Sequence, residues 1–340
     1  MNFTRIQNRI DNPEKIDFDL IDRELHDGKH VIVQFVDTSY TDKKLSQLND
    51  LCDKYGENFG IRFYGHYSGS FDFNTLRKIP NVKCLYVDCL IRADNVLTLQ
   101  ELTKLKALSL GVFELKETEI LKSENLHQLS SLILTETRTK SVNLDYLRDY
   151  KNLQSLIIGD HTKNIETVGE LSHLEFLSFN SIKKTPVPFV NRLKKLKTLK
   201  FVLGGRENIH EIEDNEIENL EIVWVRGFND ISNISKFRKL KTLLIEANIQ
   251  LPKILFDKEL PDLYDLKILN CKTLNSLTGL EYLPSLKQLR VYKTNLDFDT
   301  VVNQNLSDEL KTFAFYTTKK KIDEEIKTKL KLRGYSEWTR

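Results

Sequence analysis

Nowhere in the sequence is there an uninterrupted apolar run near the ~20 residues that a membrane-spanning helix requires. The opening MNFTRIQNRIDNPEKIDFDL also lacks the roughly 7–15-residue apolar core of a secretory signal. Charge of one sign is missing too. Lys and Arg total 51 against 49 Asp and Glu, a balance of +2, which gives no general pull toward nucleic acid or an anionic membrane. Cysteine is scarce: Cys52, Cys84, Cys89 and Cys271, with no C-x-x-C, make neither a disulfide framework nor a zinc knuckle. These absences lead to the expectation of a cytoplasmic protein.

Catalytic patterns are missing as well. Gly204-Gly205 lacks the lysine of a phosphate-binding loop, and no G-x-S-x-G or H-E-x-x-H occurs. The seven histidines are scattered; His66 and His161 share a repeat position but stand four turns apart, too far to share a metal. No cofactor, no metal and no enzymatic activity are expected.

What the sequence does contain is a period. Leu263, Leu266 and Ile268 form an L-x-x-L-x-L frame ending in Cys271, and the pattern restarts at Leu286, Leu289 and Val291. Aligning the fourth position along the chain gives Ile61, Leu85, Leu108, Leu132, Leu156, Leu177, Leu199, Val223, Leu243, Leu266, Leu289 and Phe313. The intervals are 24, 23, 24, 24, 21, 22, 24, 20, 23, 23 and 24 residues. Position six is apolar in all twelve frames. Positions four and six alternate with five, as in a half-buried strand, so four and six point inward while three, five and seven point out. One repeat cannot bury its own apolar edge; stacked repeats share a continuous core.

With 20–24 residues per turn, about a dozen remain for the return path, enough only for short helical turns or extended segments. The chain resembles the short-repeat class of leucine-rich repeat proteins, similar to the bacterial internalin-like repeats, over residues 58–318. That resemblance implies an α/β solenoid, a right-handed β-α superhelix with a parallel concave sheet of about 12–13 strands, whose work is binding other proteins. Position nine departs from the family: only Asn248 and Cys271 carry the residue types that tie one turn to the next.

The ends differ from the array. Residues 30–38 read as a strand and 41–56 as an amphipathic helix with Leu45, Leu48, Leu51 and Tyr55 on one face. An opening helix over 16–25 completes an α/β capping region, residues 1–57. Residues 319–340 form a C-terminal helical cap, with Ile322, Ile326 and Leu330 at helical spacing and Leu332, Tyr335 and Trp338 closing over the last turn. The lysines of that cap are read as a solvated helix face.

The predicted binding surface is the concave face. Its first zone holds Arg62, Tyr64, Tyr86 and Asp88, its middle Ile133 and Ile157 beside small residues. The rear carries Phe176, Lys200, Trp224, Arg226, Leu244, Lys267, Arg290, Tyr292 and Tyr316. Outward Trp, Tyr and Arg are enriched at binding hot spots, while outward β-branched residues also stabilise sheets through cross-strand neighbours. For Ile133 and Ile157 the two readings stand side by side; for the Trp224–Leu244 neighbourhood, flanked by cations, binding is the reading adopted. The expected function is protein–protein recognition by a chain that is monomeric alone, with no small-molecule substrate and no membrane. The rivals are a nucleic-acid or phosphate-ligand binder using Lys200, Arg226, Lys267, Arg290 and the C-terminal lysines, a hydrolase with an unrecognised site, and an idle scaffold.

Overall fold

The structure, a computed structural model, describes residues 7–138, 142–213 and 215–337. It divides into two units, Met1–Leu174 and Glu175–Arg340.

The first unit contributes seven strands of a parallel sheet: Gln7–Asp11, His30–Val36, Phe59–Tyr64, Cys84–Leu90, Ala107–Val112, Ser131–Leu134 and Ser155–Gly159. The first two crossovers are α-helices, α1 (Phe18–His26) and α2 (Asp42–Tyr55). In α2 the Thr41 hydroxyl accepts the Lys44 N–H, Leu45, Leu48, Leu51 and Cys52 form the buried stripe, and Gly56 ends the helix at φ 63°. Later crossovers shrink to single 3-10 turns such as Val96–Glu101 and Ile165–Glu170, as the short period requires.

The second unit contributes seven more: Phe176–Asn180, Thr198–Val202, Asn219–Val223, Thr242–Glu246, Asp265–Leu269, Gln288–Tyr292 and Thr312–Tyr316. Its return paths are 3-10 turns, an extended pair (Lys253–Leu255 with Ser276–Thr278) and the five-residue α3 (Phe298–Val302). The unit closes with α4 (Lys320–Leu332). The total is fourteen strands rather than 12–13. The addition, Gln7–Asp11, has one apolar residue in five and alternates between exposed and half-buried, so hydrophobic periodicity does not reveal it.

Eleven of the twelve aligned frames agree with the strand register, and one does not. Leu199 pairs with Leu220, and Leu220 with Leu243, so the inward pair of that turn is Leu220 and Ile222. Val223 therefore occupies position seven, Trp224 position eight, Val225 position nine and Arg226 position ten. The segment 217–225 fits the L-x-x-L-x-L template twice, three residues apart; pairing with both neighbours selects the earlier frame. The intervals around it become 21 and 23 residues, and Glu221, not Trp224, takes position five.

Position eight has a backbone signature. Ser181, Leu203, Trp224, Ala247, Asn270 and Lys293 all have φ between 55° and 60°. Each of these left-handed residues donates its N–H to the position-seven carbonyl of the next turn, at 2.7–2.9 Å. In the first unit Asp37, Gly65, Cys89 and Asp160 take the same conformation, but Val112 and Glu136 do not, and the Cys84–Leu90 strand is bulged between Val87 and Leu90.

Position nine points inward again. Asn248 is fully buried; its side-chain amide donates to the carbonyls of Ile222 (2.7 Å) and Glu246 (3.0 Å) and accepts the Val225 N–H (3.2 Å). Cys271 points its thiol at the equivalent carbonyls of Ile245 and Leu269. At the C-terminal end Tyr335 meets the Phe313 ring edge-on at 5.6 Å, whereas Leu332 is exposed instead of closing the turn. Trp338 lies outside the described residues.

Candidate binding face

In the first unit, position three and position five of the sheet are largely closed. Ile32, Cys84, Tyr86 and Ala107 form a buried cluster on this side. Gly60 leaves room for the Tyr86 ring to lie across its strand, since a Cβ there would stand 3.1 Å from Tyr86 Cε2. The Tyr86 hydroxyl then reaches His30 Nε2 at 3.3 Å, and burial pushes its phenol pKa strongly upward. Tyr86, expected at an open surface, is a core residue.

Asp88 is buried as well, and it centres a polar network. Its carboxylate accepts Arg62 Nε at 2.7 Å and the Ser109 hydroxyl at 2.9 Å. Gly111 permits this closeness: a Cβ there would lie 2.9 Å from that of Asp88. Arg62 also donates to Gln34 Oε1 (3.1 Å) and lies 4.5 Å over the Tyr64 ring, whose hydroxyl donates to Asp11 (2.8 Å). Burial opposes the Arg62 charge, but Asp88 more than offsets it and the guanidinium pKa rises. Arg62, Tyr64, Tyr86 and Asp88 thus spend their polar groups on one another and on Asp11, Gln34, His30 and Ser109. Ile133 and Ile157 are half-buried and directly paired across adjacent strands.

The second unit is arranged differently. Position five reads Ser178, Lys200, Glu221, Leu244, Lys267, Arg290 and Ala314 across successive strands. Lys200 pairs with Glu221 at 2.9 Å and lies over the Phe176 ring at 5.4 Å. Lys267 pairs with Asp265 at 2.7 Å, and Arg290 donates to Gln288 at 2.9 Å. Leu244 is half-buried between these charges.

Apolar exposure concentrates at the strand ends. Position seven carries Val202, Val223, Leu269, Tyr292 and Tyr316, the tyrosines being exposed neighbours in register. Position eight adds Leu203, 50 % exposed, and Trp224, 60 % exposed. Trp224 and Arg226 therefore face solvent as expected, but from the rim at the strand exits and not from the centre of the face. Leu203 and the exposed Ile249 have no place in the position-five reading; the recurring left-handed residue locates the first, and the alternation continuing past it locates the second.

No metal-holding group of three His, Cys, Asp or Glu occurs among the described residues. Burial pushes the thiols of Cys84 and Cys271 up to about 11 and that of Cys52 to about 12, so they stay protonated near neutrality.

No family model matches the sequence, and no curated relative matches it. Among solved structures the chain is similar to an internalin from Listeria monocytogenes, with 17% identity over 92% of this chain and 87% of that one, at TM-score 0.56. It is also similar to a leucine-rich repeat protein of Leptospira interrogans, with 15% identity over 91% and 89% at TM-score 0.44. Parallel strands one per 20–24-residue turn, inward leucines in register and the likeness to that internalin structure establish that this chain has the leucine-rich repeat fold.

Proposed function

We propose that the chain is a non-enzymatic recognition module that holds a protein partner on the second unit's sheet face. One observation carries the reading. Leu203 and Trp224 on one pair of adjacent turns, and Tyr292 and Tyr316 on another pair beyond two intervening turns of the same hydrogen-bonded sheet, expose large side chains that the core of that unit does not use. Rigid, exposed aromatic groups bury area on binding at low entropic cost. On the first unit's face Arg62, Tyr64, Tyr86 and Asp88 are tied into the fold, and its exposed Tyr67 and Phe113 stand apart beyond the strands, so that face is read as scaffold. Basic residues proposed for a nucleic-acid rival, Lys200 and Lys267, carry their own carboxylates, and α4 pairs Lys327 with Glu337 and Lys329 with Asp299. Four free thiols, three of them buried, suit a reducing compartment such as the cytoplasm.

The test is hydrogen exchange on the complex captured from source cells. Protection is expected at the ends of the second unit's strands, with capture lost in Trp224→Ala and Tyr292→Ala. Protection confined to the first unit, or capture indifferent to both substitutions, sinks the reading.

A further inference from the structure

Beyond the face itself, the exits of the second unit's strands form a rim of their own. Ser181–Lys184, Leu203–Arg206, Trp224–Arg226 and Ala247–Ile249 run side by side, joined by Leu203 N–H to Val223 O (2.8 Å), Gly205 N–H to Ile182 O (3.1 Å) and Arg206 N–H to Arg226 O (3.1 Å). Gly205 forms backbone bridges to Lys183 on one side and Arg226 on the other. Position nine points in, so positions eight and ten point out. Position eight supplies Leu203 and Trp224; position ten supplies Lys183, Gly205, Arg226, Ile249 (58 % exposed) and Lys272.

Two features of this rim stand apart from the rest of the unit. The first is charge. Among the described residues no carboxylate pairs with Lys183, Arg226 or Lys272, whereas Lys200, Lys241 and Lys267 on the same unit each have one. The four segments hold no carboxylate of their own; Glu207 and Glu246 flank them and form no ion pair among the described residues, while Arg206 is paired with Glu211 at 2.8 Å. The second is a notch. Gly205 lacks a side chain between Lys183 and Arg226, with Leu203 and Trp224 beside it. Its φ is not positive, and a Cβ there would meet the Arg226 carbonyl at 3.4 Å and the Arg226 Cβ at 4.0 Å, both ordinary contacts, so the backbone does not demand glycine. The gap between the two cations is two strand spacings, about 9–10 Å.

We propose, resting on the recognition reading above, that this rim takes an acidic, apolar-containing segment of the partner protein. Its carboxylates meet Lys183 and Arg226, and an apolar side chain sits over Gly205 between Leu203 and Trp224. A polyproline-II segment rises about 3.1 Å per residue with three residues per turn, so acids three apart share one side at about 9.3 Å, matching the gap. Apolar residues between them reach Leu203 and Trp224.

The experiment uses the full chain and a fluorescein-labelled dodecapeptide of four Glu-Pro-Leu repeats, read by fluorescence anisotropy. The Glu peptide is expected to bind at least tenfold more tightly than a Lys-Pro-Leu counterpart. Lys183→Glu with Arg226→Glu, Trp224→Ala, and Gly205→Leu are each expected to weaken it at least tenfold with unchanged thermal midpoints. No binding, equal binding of the two peptides, or indifference to the double charge reversal overturns the proposal. Tighter binding of phosphatidylserine vesicles or of a twelve-nucleotide oligothymidine than of the Glu peptide overturns the choice of occupant. Peptide failure with Tyr292-dependent capture intact removes the rim chemistry alone; capture indifferent to Trp224 and Tyr292 removes the recognition reading itself.

Discussion

The two units use the same repeat to opposite ends. In the first, outward side chains bond to one another: Asp88 holds Arg62 and Ser109, Asp11 holds Tyr64, and His30 meets Tyr86. In the second, polar pairs also form, such as Lys267 with Asp265 and Lys200 with Glu221, but Leu203, Trp224, Tyr292 and Tyr316 are left facing water. The backbone follows the same division, with six consecutive left-handed residues at position eight in the second unit and an interrupted, bulged series in the first. A sheet face whose side chains already have partners is poorly placed to gain new ones, because any ligand must first break buried hydrogen bonds. The difference teaches that outward direction alone does not make a binding surface.

This contrast can be broken at its strongest point first. Asp88→Ala leaves the Arg62 charge buried and uncompensated, and is expected to lower stability by about 3 kcal/mol without touching ligand capture. Chemical denaturation followed with a binding assay checks both halves. Adding Arg62→Met to Asp88→Ala should recover much of the loss, since the stranded charge is then gone. Asn248→Ala is the matching lesion in the second unit. It strands the Val225 N–H and takes a donor from the Ile222 and Glu246 carbonyls, the second of which keeps the Trp224 N–H, and should cost about 2 kcal/mol by the same assay.

Trp224→Ala reverses the pattern. Stability should move by no more than about 0.5 kcal/mol, while partner affinity falls by about 2 kcal/mol or more, roughly thirtyfold. A stability loss like that of Asn248→Ala would show that the indole belongs to the core.

The smallest effect sharpens the comparison through pH. Burial lowers the pKa of His66 and His161 in the first unit, while the second contains only the exposed His210. A histidine whose folded pKa is lowered binds fewer protons folded than unfolded. Stability is therefore full above the unfolded value of about 6.5 and declines as pH falls below it. Hydrogen exchange at pH 7.5 and 5.5 should show the first unit loosening more than the second. His161→Asn, which imports the residue type of Asn248 at the same position, should reduce that drift. Equal loosening of both units would refute the assignment.

The array was legible because stacking demands two inward apolar residues per turn, and that demand leaves a period in the text. The frame at Leu220 is ambiguous in the sequence, since Ile217, Leu220, Ile222, Val223 and Val225 satisfy the template in either of two alternations. The adjacent intervals of 24 and 20 were the available warning. Gln7–Asp11 was invisible for the opposite reason, having almost nothing apolar to repeat. The locked state of Tyr86 and Asp88 was not readable either: it depends on partners 56 and 26 residues upstream and on Gly60 and Gly111 permitting close approach. Asn248 and Cys271 were recognisable from residue type alone, because few side chains can serve two backbone carbonyls from inside the coil.

The left-handed residue that follows six of the second unit's seven strands has one further implication. For a residue other than glycine that conformation costs about 1–2 kcal/mol, and the N–H bond it makes to the next turn returns about 1 kcal/mol. Both quantities belong largely to the main chain, so residues that are not β-branched enter on similar terms. Ser, Leu, Trp, Ala, Asn and Lys all occupy this place in turn. Mutation can therefore rewrite the row one letter at a time while the coil beneath it goes on folding as before.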